Sequence, residues 1–70
     1  MVTVKKTYNG SDPIPTHIEL VDEEGNQLEY FKTEEGFEEY CNKTGLKYSS
    51  LGIGEKRQDN TRVLTHVTNR

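Results

Sequence analysis

Thr33-Glu34-Glu35-Gly36-Phe37-Glu38-Glu39-Tyr40-Cys41-Asn42-Lys43-Thr44-Gly45-Leu46 carries a full set of helix signals, and it decides how the rest of the chain must be arranged. Thr33 stands where an N-cap belongs, Glu34 and Glu35 occupy the positive first turn, and Lys43 lies in the negative last turn. Phe37, Tyr40 and Cys41 fall at i, i+3 and i+4, which makes a narrow apolar stripe. Gly45-Leu46 fits a Schellman stop with Leu46 folded back onto that stripe. The spacing therefore predicts one helix over Glu34 to Thr44. At that length an isolated helix is marginal in water, so a sheet must hold it.

The segments on either side supply the sheet. Val2, Val4 and Tyr8 recur on even positions, interrupted by Lys6, and predict a strand with one face partly buried. Asn9 to Pro15 reads as a loop, with a tight turn at Asn9-Gly10, two prolines that lack N–H groups, and Ile14 as an apolar anchor. Thr16 to Asp22 alternates Ile18 and Leu20 against His17, Glu19 and Val21. Gln27 to Lys32 alternates Leu28 and Tyr30 against Glu29 and Phe31. Between these two lies Glu23-Glu24-Gly25-Asn26, where a left-handed Gly25 closes a hairpin through a type I turn and a bulge. After the helix, Lys47 to Ile53 predicts a strand weakened at Gly52, Gly54 to Asn60 a polar loop, and Thr61 to Thr68 a β-branched strand. That last strand places Val63 and Val67 on one face and Leu64 and His66 on the other. The expected fold is α+β: a small, mainly antiparallel sheet in β-ββ-α-ββ order, covered on one face by a single short helix, with residues 1–70 as one domain.

Composition limits what such a domain can do. A hydrophobic fraction of 30%, without Ala or Trp, leaves a small core, and net stability of only a few kcal/mol is expected at about this size. A homo-oligomer that covers an apolar strip would relieve the shortage, although nothing in the sequence fixes a stoichiometry. Cys41 is the single cysteine, which excludes an intrachain disulfide and a thiolate-rich zinc site and favours a reducing compartment. No apolar run reaches the length of a membrane span, and Met1 to Tyr8 has no signal-peptide core. A cytoplasmic protein without membrane contact is expected.

Few residues suggest chemistry. Cys41, His17 and His66 are a nominal nucleophile and bases, but Cys41 shares the helical stripe with Phe37 and Tyr40, which predicts an inert buried thiol. Both histidines sit in strands rich in Thr and charge and read as ordinary, partly exposed residues without metal-ligand spacing. Leu51-Gly52-Ile53-Gly54-Glu55-Lys56-Arg57 offers glycines before two bases, yet it lacks the third glycine of a dinucleotide fingerprint and the Ser or Thr of a P-loop. It reads as a hairpin connector. No catalytic residue, metal or cofactor is expected, and the protein is not read as an enzyme.

Charge is the more informative property. Glu19 to Glu39 holds nine carboxylates against the single base Lys32, whereas Lys43 to Arg70 holds six bases against two acids, so the net charge of −3 conceals two poles. On the helix, Glu34, Glu35, Glu38 and Glu39 cover an arc of about 140°, roughly opposite the apolar stripe, and include like-charge i, i+4 pairs. These four are the expected contact face for a partner protein. The leading expectation is a small non-enzymatic macromolecule-binding domain, a protein-interaction or regulatory module, steered by charge. The alternative is an RNA- or DNA-binding domain that uses Lys47, Tyr48, Lys56, Arg57 and Arg62, with Tyr48 stacking on a base. A sequence pI of 5.3 weighs against the alternative. In size and composition the chain is similar to many small bacterial or bacteriophage accessory proteins.

Overall fold

The computed structural model describes residues 2–69, with the backbone alone for Asn69; Arg70, counted above in the basic half, lies outside the described residues. The elements in chain order are β1 (Thr3–Asn9), β2 (His17–Val21), β3 (Gln27–Phe31), α1 (Glu34–Thr44), β4 (Lys47–Tyr48), β5 (Ile53–Lys56) and β6 (Thr61–Asn69). All pairings are antiparallel. The sheet runs β3-β2-β1-β6, and the outer edge of β6 is shared by β5, opposite Arg62–Thr65, and β4, opposite Thr68–Asn69. The small antiparallel sheet with one helix is as expected, and the sheet is curled.

Two corrections concern the strands after the helix. The strand expected over Lys47 to Ile53 is broken after Tyr48, so the order is β-ββ-α-βββ. The break has a long-range cause, because the segment from Ser49 to Gly52 folds over β6. The Ser49 carbonyl lies 2.8 Å from His66 Nδ1, and Gly52 packs so closely that a Cβ there would stand 2.9 Å from His66 Cε1. The loop expected over Gly54 to Asn60 begins as β5 and shrinks to a turn. Arg57 N donates to Thr61 O at 2.9 Å and Asn60 N to Arg57 O at 3.3 Å. Asn60 closes the turn at φ 67, a left-handed conformation that Asn tolerates.

Register explains the core. Val4 stands opposite Leu20 and His66, and Lys6 opposite Ile18 and Leu64, so these side chains share the face under α1. Val4, Ile18 and Phe37 are fully buried there. The Phe37 ring meets Phe31 at 5.5 Å and Tyr48 at 5.4 Å. In β3 the face of the alternation that meets the core is the one carrying Phe31. Phe31 faces the core, while Leu28 and Tyr30 are 53% and 48% exposed. The cause is register, since Phe31 pairs with buried Ile18 and Tyr30 with Glu19 on the other side, and a bulge follows between Leu20 and Val21. Ile14 is also exposed, against expectation. Pro15 is buried in its place, next to the bond from Thr16 N to Thr7 O.

The helix has the bounds its caps predict. Thr33 Oγ1 accepts from Gly36 N at 3.2 Å, and Gly45 adopts φ 76. Its N–H donates to Cys41 O at 2.8 Å, the single bond of an αL stop and not a Schellman motif. Leu46 packs on the core as expected. Among the described residues, no helix is long and apolar enough to cross a membrane.

Candidate functional site

The sheet places its acidic β2–β3 turn and its basic β5–β6 turn at opposite ends of the strands. Thr3 of β1 pairs with Val21, just before the acidic Asp22–Asn26 turn, and Asn9 at the other end pairs with Thr61, just after the basic β5–β6 turn. The seven residues of β1 span roughly 20 Å at about 3.4 Å each, so the two turns lie at opposite ends of the molecule.

The helix does not present its four glutamates alike. Glu34 lies about 60° around the helix from Phe37 at about 100° per residue, at the margin of the buried stripe. It turns toward the sheet. Lys6, 6% exposed, donates from Nζ to Glu34 Oε1 and to Tyr48 OH, each at 3.1 Å. The ammonium also lies 5.0 Å from the Tyr48 ring centre and 5.7 Å from that of Phe37, in the range of cation–π attraction. Burial pulls the Lys6 pKa down, but the hydrogen bonds to Tyr48 and Glu34 and their charges outweigh it and hold the pKa above the ordinary 10.5. Glu35, Glu38 and Glu39 are exposed. Among the described residues, no base lies within ion-pair distance of them.

The nominal nucleophile and bases do not converge. Cys41 is half-buried on the helix. Burial raises its thiol above the ordinary 9.0; the Lys6 charge opposes this and Glu38 adds to it, so the thiol stays protonated and unreactive at neutral pH. His17 pairs with Thr7 on the face away from the helix, where Nε2 lies 3.1 Å from Glu19 Oε1 and the ring stacks on Tyr30 at 5.4 Å. His66 corrects the expectation of partial exposure. It is 5% exposed, because the Ser49–Gly52 segment covers it, and its Nε2 has no hydrogen-bond partner. Among the described residues, no three His, Cys, Asp or Glu side chains form a metal-holding group.

The basic residues divide into two groups. Lys47 and Tyr48 pair with Asn69 and Thr68 at one end of β6, and Lys56 pairs with Arg62 near the other, six residues or roughly 20 Å away. Tyr48 packs against Phe37 and His66 and bonds Lys6, which leaves its ring engaged inside the fold. Arg62 stacks over Tyr8 at 4.7 Å. It donates from Nε to Gly10 O and from Nη2 to Asp12 O, the latter at 2.9 Å, and so pins the proline-containing loop to β6. Lys56 and Arg57 are exposed. With Arg62 they border a half-open hollow of about 480 Å³ whose other walls include Gly10, Ser11 and Asn60.

Gly52 and Gly54, the glycines that suggested a phosphate cradle, lie instead against His66 and Leu64. The wall that the sequence reading missed is Gly10-Ser11, brought to the basic turn by Gly10 N donating to Asn60 O at 2.7 Å. Asn9-Gly10 signalled only a turn; nothing local tied it to residues some fifty positions later. No protein-family model matches the chain, and neither a curated protein nor a solved structure is significantly similar to it.

Proposed function

We propose that the protein is a non-enzymatic cytoplasmic interaction module that docks to a basic surface of another protein through Glu35, Glu38 and Glu39. The observation that carries this reading is the contrast within one helix. Glu34 has a buried cationic partner, whereas its three neighbours stay exposed without one among the described residues. Glu35 and Glu39 are like charges at i, i+4, which disfavours the helix by about 0.2–0.5 kcal/mol. An incoming cationic surface removes that repulsion, and charge steering raises its association rate at low salt. Glu34 serves as the helix anchor, not as a contact. The nucleic-acid alternative loses support from the separation of Lys47 and Tyr48 from Lys56, Arg57 and Arg62, because no continuous cationic track with a free stacking ring connects them.

The test is quantitative affinity capture from the source lysate after nuclease treatment, comparing wild type with Glu35→Lys/Glu38→Lys and with the control Glu29→Lys. The expected result is a protein retained by wild type and control, lost from the helix variant, and released from wild type as salt rises. Retention by all three chains would refute the helix assignment.

A further inference from the structure

We propose that the hollow between the β1–β2 loop and the β5–β6 turn is a seat for the phosphate group of a small phosphorylated ligand. It lies on a surface distinct from the helix flank and does not depend on that flank's role. Lys56 stands directly opposite Arg62 in the β5–β6 register, so two cations share one face of the sheet as a cross-strand pair, with Arg57 next in the chain. Like charges placed in this way repel. Among the described residues, no carboxylate lies within ion-pair distance of the three. Asp59, in the same turn, uses Oδ1 to accept from the Thr61 hydroxyl at 2.6 Å and from Thr61 N at 3.3 Å. Asp59 feels the Arg57 charge at longer range, but three cations against this one committed carboxylate leave the turn with a surplus of positive charge.

The hollow is also prearranged. Arg62 is held by the Tyr8 ring and by two loop carbonyls, which leaves the rest of its five N–H donors. Gly10 adopts φ 59, and a Cβ there would stand 3.2 Å from Asn60 Nδ2, so its lack of a side chain lets the loop close onto the turn. Ser11, Asn60 and Thr61 add uncharged polar residues to the wall. Three convergent cations suit a dianion better than a single carboxylate, since guanidinium and ammonium groups make short, charge-assisted bonds to phosphate oxygens. The volume of about 480 Å³ exceeds a lone phosphate and falls in the range of small-ligand sites. A nucleic-acid strand would need the further cations and free rings that this end of the sheet does not offer.

The test is an amide NMR titration of the full chain with inorganic phosphate and with adenosine monophosphate, against sodium chloride at matched ionic strength. Saturable shifts confined to Gly10, Ser11 and residues 56–62 are expected, with millimolar or tighter constants and adenosine monophosphate bound at least as tightly as phosphate. Lys56→Ala and Arg57→Ala should each weaken binding about tenfold without lowering the unfolding midpoint, because both side chains are exposed. Scattered shifts, equal shifts with chloride, weaker binding of the nucleotide than of phosphate, or unchanged affinity in either variant would overturn the proposal. So would tighter binding of a single-stranded oligonucleotide lacking terminal phosphates, with affinity falling steeply in salt, since that is the behaviour of a polyanion site.

Discussion

Replacing Lys6 separates the packing of a buried side chain from the charge it carries. Lys6 is 6% exposed beneath the rings of Phe37 and Tyr48. Lys6→Ala removes three buried methylenes, about 2.4 kcal/mol at about 0.8 kcal/mol each, and leaves a cavity below those rings. The ion pair adds less. The Glu34 side chain is 42% exposed, so water screens its half of the contact and the pair is worth at most about 1 kcal/mol. The expected loss is about 3 kcal/mol, most of the stability of a domain this small, and about 12–24 °C in melting temperature. Lys6→Met keeps the length and the apolar volume and discards the desolvated ammonium. Replacing a buried charge with a well-packed apolar group is often neutral or stabilising, and Glu34 is exposed enough to rehydrate. Lys6→Met should therefore lie within about 1 kcal/mol of wild type.

Urea unfolding followed by far-UV circular dichroism and tyrosine emission provides the measurement, with equal m-values required before midpoints are compared. A double-mutant cycle with Glu34→Gln should return a coupling below about 1 kcal/mol. If Lys6→Met loses as much as Lys6→Ala, charge and not the aliphatic stem holds this site, and the reasoning fails.

Gly52→Ala should destabilise by about 1–3 kcal/mol. The new Cβ would stand 2.9 Å from His66 Cε1 and 3.2 Å from Leu64 Cβ, and the His66 ring is held between Tyr48 and the Ser49 carbonyl. Gly36→Ala is the opposing control. In the helix, with its nearest contact an ordinary 3.4 Å to Thr33 Oγ1, it should gain about 0.5–1 kcal/mol, and equal thermal midpoints for the two variants would refute the packing argument. Stability should also fall at both pH extremes. The Lys6 pKa is raised above 10.5, so its contribution is complete below that value and disappears as pH climbs through the folded pKa. Asp22 is lowered below 3.8 chiefly by the Asn26 N–H, and Asp59 chiefly by the Thr61 hydroxyl. Their contributions are complete above 3.8 and disappear as pH drops through the folded values. Urea midpoints measured across pH should show both limbs; the raised Cys41 thiol adds to the alkaline one, so Lys6→Met should shrink that limb and leave the acid limb unchanged.

What the sequence revealed follows from the range of each interaction. Thr33 and Gly45 mark the helix because a cap is satisfied within three or four residues, by Gly36 N at one end and Cys41 O at the other. Strand alternation fixed the inward set Val4, Ile18 and Leu20 for a similarly local reason. Lys6 looked like an interruption because its partners lie 28 and 42 residues away. The break after Tyr48 was hidden because Gly52 meets His66 only in the folded chain. The Arg62 contacts that shape the hollow span 52 and 50 residues, beyond any local pattern. Glu34 was different: its place at the edge of the apolar stripe is readable from helical geometry, and grouping it with the other glutamates by charge obscured that.

The two candidate surfaces are joined by how the chain places its charges. Where opposite charges stabilise the fold they have been brought together across long sequence distances, as Lys6 and Glu34 are. Yet Glu35 stands one helical turn from Glu39, and Lys56 directly faces Arg62, arrangements that each work against folding by a few tenths of a kcal/mol or more. Selection for stability alone would favour neutral or opposite residues at Glu35 and Lys56, since both are exposed and neither side chain packs in the core. A cationic surface at the helix and an anion at the hollow, as proposed above, would relieve the repulsion in each case. On the two proposals, changing Glu35, Glu38, Lys56 or Arg57 should alter binding with little harm to folding, whereas Arg62 and Glu34, each bonded into the fold, would confuse the two effects.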